Sequence, residues 1–184
     1  MKKILSLIFL ALLTQIALAQ NSPTSRSSLP GWGPFKFGQT IKDAAKAVSP
    51  KAMVAQAAIS EEFEIEGRRY AVSAIALGSM SRITNISIQP AQQNINSIEE
   101  CESQFKRMRT MVAKKYGAAD GSEEPFEYEA RIGRQVNYNF RDSSKITVRW
   151  GFREGAPPPG AFDRNQCFTE ISMEAPSGPK KANF

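Results

Sequence analysis

The chain contains no histidine. That absence removes the hydrolases that rely on an imidazole base, the common zinc sites, and the side chain that titrates nearest neutrality. Cysteine is almost missing too: Cys101 and Cys167 are the whole supply, and neither has a Cys-x-x-Cys neighbour or an evident cationic pocket. A catalytic or redox thiol needs such surroundings to lower its pKa, so both are read as structural. Beyond the amino terminus there is no apolar run near the ~20 residues of a spanning helix. A charge stripe of one sign is lacking as well. The 24 basic and 18 acidic residues are interspersed, with Glu61, Glu62, Glu64 and Glu66 beside Arg68 and Arg69, which argues against nucleic acid as a partner.

The amino terminus is the exception to the scarcity of apolar runs. Lys2 and Lys3 precede "ILSLIFLALL", and "ALA" closes the run at Ala19, the pattern of a secretory signal peptide over residues 1–19. Gln20 stands where a lipid-anchored chain carries cysteine. Loss of the two lysines would leave a net charge of 22 − 18 = +4. The leader has bacterial form, so the expectation is a periplasmic or secreted chain without a membrane span. In such an oxidising compartment Cys101 and Cys167 are expected to pair, closing a loop of 167 − 101 = 66 residues. Residues 20–31, "QNSPTSRSSLPG", read as a flexible linker, residues 32–174 as a single α+β domain, and residues 175–184 as a flexible tail.

Periodicity supplies the elements. "WGPFKFGQT" suggests a short strand and tight turn, and Thr40 precedes a short helix carrying Ile41, Ala44, Ala45 and Val48, stopped by Pro50. Alternation then predicts three strands: one with Phe63 and Ile65 on a shared face, "RRYAVSAIAL", and "RITNISIQ" with a bulge near Asn85. Between Ser97 and Gly117 a capping box of Ser97 and Glu100 opens a helix. Its stripe is Ile98, Cys101, Phe105, Met108, Val112 and Tyr116. Further strands carry Phe126, Tyr128, Ala130 and Ile132; Val136, Tyr138 and Phe140; and Ile146, Val148, Trp150 and Phe152, with turns at Gly133 and Asp142–Ser144. After the proline-rich "EGAPPPGAFDRN", a last strand puts Cys167, Thr169, Ile171 and Met173 on one face. Seven to eight antiparallel strands with two helices on one face follow, arranged as a loose αβββ duplication.

The phrases "FKFGQTIKDAAKAV" and "CESQFKRMRTMVAKKYG" resemble the small exported bacterial α+β modules related to the outer-membrane assembly lipoprotein BamE and the β-lactamase inhibitor protein. That resemblance implies protein binding without catalysis and transfers no functional residue. Read from the residues, Glu127 and Glu129 lie two apart on one strand and could form a carboxylate pair, but Arg131, Arg141 and Arg149 offer cross-strand charge partners. The candidate binding surface is therefore the helix-free sheet face with Glu127, Glu129, Arg131, Arg141 and Arg149, with Phe162 in the proline-rich loop at its edge. No catalytic residue, cofactor or metal is expected. The leading function is an exported envelope binding or scaffold domain, whose partner is another envelope protein. The alternatives are an inhibitor of a periplasmic or secreted enzyme, presenting the proline-rich loop, and a carboxylate-dependent hydrolase.

Overall fold

The hydroxyl of Ser97 accepts a hydrogen bond from the Glu100 amide at 3.1 Å, and Gly117 closes the same helix at φ +86°, so the punctuation in the sequence marks a real element, Ile98–Tyr116. The computed structural model describes residues 26–76, 82–92, 95–157, 159–160 and 165–176. In chain order these form β1 (Gly31–Trp32), β2 (Phe35–Lys36), α1 (Ile41–Ala45), β3 (Met53–Val54), β4 (Ala58–Ile65), β5 (Arg68–Ala76) and β6 (Ile83–Pro90). The second part holds α2 (Ile98–Tyr116), β7 (Glu124–Tyr128), β8 (Arg131–Asn139), β9 (Lys145–Phe152) and β10 (Cys167–Glu174).

Thr40 caps α1, its hydroxyl accepting from the Asp43 amide at 3.1 Å. β1 and β2 form a small hairpin of their own, and the remaining eight strands make one antiparallel sheet in the order β3-β4-β5-β6-β10-β9-β8-β7. Two meanders, β3-β4-β5-β6 and β7-β8-β9-β10, therefore run inward from opposite edges and meet where β6 pairs with β10. The α+β class and the antiparallel sheet match the sequence reading. The αβββ duplication is not shown: α1 has five residues and α2 nineteen, and each helix is followed by four strands of the sheet, β3–β6 and β7–β10, where an αβββ unit has three. The expected bulge is present, since Ile75 pairs with Asn85 and Ala76 with Ile83, leaving Thr84 extra.

One sheet face is apolar and carries both helices. Ile59, Val72, Ala74, Ile86, Ile88, Ile171, Met173, Val148 and Ile146 are fully or almost fully buried in one cluster with Ile41, Ala44, Phe105 and Met108. Each such aliphatic side chain contributes about 1.5–3 kcal/mol relative to exposure. α2 lies across β9 and β10, whereas the short α1 lies over β4 and β5. The stripe on α2 is shifted from its sequence reading: Ile98 is 46% exposed, while Gln104 and Met111 are buried. Cys101 and Cys167 are bonded, joining the first turn of α2 to the start of β10 with their Cα atoms 5.7 Å apart. No described helix is long and apolar enough to cross a membrane.

Two boundaries differ from the sequence reading. Residues 26–31, assigned to the linker, are anchored at alternate points: Leu29 and Gly31 are buried and the Arg26 side chain is only 7% exposed, while Ser27, Ser28 and Pro30 face solvent. The Arg26 guanidinium donates to the carbonyls of Tyr116 (2.6 Å) and Ala118, pairs with Asp120 at 2.9 Å, and lies over the rings of Tyr138 and Phe140. Composition hid this because one arginine, reaching the open end of α2, anchors an otherwise polar segment. The second difference is the β7–β8 turn. It falls at Glu129 and Ala130, both with positive φ, and not at Gly133, which lies within β8 opposite Phe126 and Gly151.

A candidate binding face on the helix-free side of the sheet

The displaced turn redistributes the residues expected to share one surface. Glu127 pairs with Ile132 and so belongs to the helix-bearing side of the sheet. Glu129 sits in the turn, and Arg131, expected as an outward charge partner, is wholly buried. Its Nε donates to the Asn165 carbonyl at 3.2 Å and its Nη1 lies 3.3 Å from the Glu129 carboxylate. Arg153, 3% exposed, donates to the same Asn165 carbonyl at 3.0 Å and to the Glu129 carbonyl at 3.2 Å. These two arginines tie the β7–β8 turn to the chain entering β10, an anchoring task that the alternation Arg149-Gly151-Arg153 on one face could have signalled. Arg141 is exposed beyond the end of β8, its amide bonded to the Arg26 carbonyl at 3.0 Å. Phe162 lies outside the described residues. Among the described members of the expected set, Arg149 remains central to the helix-free face.

Around Arg149 the register builds something the sequence reading missed. Phe126 on β7, Gly133 on β8, Gly151 on β9 and Phe168 on β10 form one row across four strands. A Cβ on Gly133 would stand 2.0 Å from the Trp150 carbonyl oxygen, and one on Gly151 would stand 3.0 Å from the Arg131 Cβ. Both positions are thus kept bare, and the flanking phenylalanines lean over them until their rings stack, with centroids 6.0 Å apart and planes 21° apart. Tyr128 joins at 5.1 Å from Phe168 and is 40% exposed. The Arg149 guanidinium lies 5.2 Å from the Phe126 centroid and 5.6 Å from that of Phe168. Stacking of this kind is worth ~0.5–2 kcal/mol per contact.

Arg149 is held from below. Its Nε donates to Glu170 at 2.7 Å and its Nη2 to the same carboxylate oxygen, while the other oxygen of Glu170 accepts from the Ser87 hydroxyl at 2.5 Å. Glu170 is 6% exposed while the Arg149 side chain keeps about a third of its surface in solvent, so this is a half-buried, charge-assisted pair with the carboxylate's remaining lone pairs engaged. A second ladder runs beside it: Thr147 donates to Asn137 at 3.0 Å, and Asn137 to Glu124 at 3.1 Å. Neither described helix covers these groups. The result is a rigid aromatic and arginine layer bordered by amides and hydroxyls, chemistry suited to recognition. The described residues contain no group of three or more carboxylates or cysteines placed to hold a metal ion. The signal for Phe168 and Glu170 lay in the other phase of the last strand, the one alternating with Cys167, Thr169 and Ile171.

No family model matches the chain, and neither the curated proteins nor the solved structures compared with it yield a match.

Proposed function

We propose that this chain is an exported, non-enzymatic binding domain of the bacterial envelope that recognises another envelope protein through the helix-free face of its sheet. The observation that carries this reading is the Phe126–Arg149–Phe168 layer with Tyr128 at its rim. Arginine and aromatic side chains fixed in place before binding are the usual centre of a protein interface, because little rotamer entropy remains to be lost. The signal-peptide pattern and the buried Cys101–Cys167 bond support an oxidising compartment. The resemblance to BamE-like and inhibitor-protein modules points the same way, toward adhesion.

The test is photo-crosslinking in the native envelope. A crosslinker at position 128 should capture a discrete protein, and Arg149→Gln should lower the yield at least severalfold with the fold intact by circular dichroism. A crosslinker at Lys42, on α1, serves as the control. Equal capture from positions 128 and 42, or capture indifferent to Arg149→Gln, would falsify the assignment.

A further inference from the structure

A second feature lies on the opposite side of the sheet, where α2 leaves part of β5 uncovered. A cleft of about 340 Å³ runs between them, walled by Ile65, Tyr70 and Met111, with Arg68, Arg107 and Ser103 among its polar lining. That volume is within the range of small-molecule sites, ~300–1,000 Å³. Its charges are unequally engaged. Lys106 is paired with Glu102 at 3.0 Å, and Glu66, the acid lining this cleft, is held by Lys114 at 2.6 Å. Among the described residues, neither Arg68 nor Arg107 has a carboxylate partner. Arg107 spends Nη1 on the Ser103 hydroxyl at 2.8 Å, while its Nε is buried without a hydrogen-bond partner. Burial raises the Tyr70 phenol pKa, the charges of Arg107 and Arg68 oppose that rise, and Glu66 adds a smaller push upward, so both guanidiniums and the one lining acid act on the same phenol.

We propose that this cleft is an anion site, in which Arg68 and Arg107 hold a phosphomonoester and Ile65, Tyr70 and Met111 contact the body that bears it. Two guanidiniums without carboxylates match a dianion in charge, and their N–H groups match its oxygens; a monoanionic carboxylate would leave one charge uncompensated. A neighbouring cleft shares Arg68, Tyr70 and Arg107 and is lined also by Arg69 and Glu100. The Glu100 carboxylate sets a negative charge there, so the anion is placed in the first cleft and only the uncharged body extends toward Pro90 and Ile95. This site is independent of the helix-free face and stands or falls separately from it.

Inorganic phosphate titrated into the full domain should give saturable amide shifts confined to Arg68–Tyr70 and to residues 103–111 of α2. The Arg68→Gln/Arg107→Gln variant should weaken the apparent Kd at least tenfold, and Arg134→Gln, an exposed charge elsewhere, should leave it unchanged. Co-sedimentation with phosphatidylcholine vesicles, with and without phosphatidic acid, separates the sources. Pelleting that needs phosphatidic acid and both arginines assigns a lipid headgroup, whereas phosphate shifts without pelleting assign a soluble phosphomonoester. The proposal is overturned if phosphate causes no saturable shift at those amides, if the double variant keeps full affinity, or if acetate binds as tightly as phosphate.

Discussion

Arg26 and Tyr116 meet at the end of α2 and illustrate how much one side chain can decide. The Arg26 guanidinium is almost buried between a helix terminus, Asp120 and two rings, so Arg26→Ala should lower stability by about 3 kcal/mol, read from urea unfolding. A loss within ~0.5 kcal/mol would mean that the segment is not held there. Tyr116 presents the opposite situation. Its hydroxyl is buried without a hydrogen-bond partner among the described residues, and burial pushes its pKa up to about 12. Because the folded value lies above the unfolded one of 10.0, the phenol makes stability independent of pH below 10 and lowers it as pH rises from 10 toward 12, where the unfolded chain ionises and the buried ring does not. Tyr116→Phe should therefore stabilise the protein by ~1 kcal/mol at neutral pH and flatten the alkaline limb of a stability profile. Neither residue advertised itself in the sequence. Arg26 is a lone charge in a serine-rich segment, and Tyr116 looks like the last member of an apolar stripe.

Among the elements, α2 and β8 show the two ways a sequence reading can fare. The start and end of α2 were legible because caps are local chemistry: a Ser97 hydroxyl three residues before an amide donor, and a glycine where φ must be positive. Its depth was less so, since which side chains are covered depends on α2 lying over β9 and β10, and that leaves Ile98 in solvent. The disulfide pins this packing. Replacing both cysteines by alanine should cost about 4 kcal/mol for a 66-residue separation, measured as the loss in unfolding free energy. An unchanged midpoint would remove the bond from the account of stability. For β8, the glycine that resembled a turn serves as a bare position beneath stacked rings, while Glu129 and Ala130, ordinary residues, take the left-handed turn. Gly133→Ala places a methyl against the Trp150 carbonyl and should destabilise by ~2–3 kcal/mol, with the ring stacking disturbed in the near-ultraviolet circular dichroism.

At the scale of the whole molecule, the pairing of β6 with β10 joins two meanders into one sheet over one continuous core. Trp32, packed against that core beneath Lys115, and Trp150, buried in the second meander, should therefore report the same urea transition as the far-ultraviolet signal. Separate midpoints would show that the halves unfold independently. Local pattern determined a good deal here: the class, most strands, both helix starts and the pairing of the two cysteines follow from period, caps and the scarcity of thiols. It left open which acids and arginines would share a surface. One displaced turn buried Arg131 and moved Glu127 to the other side of the sheet; only the register across four strands could bring Phe126, Arg149 and Phe168 together. Alternation states which residues are in phase within a strand, whereas the contacts between phases are set by long-range pairing, and the site is made of those contacts.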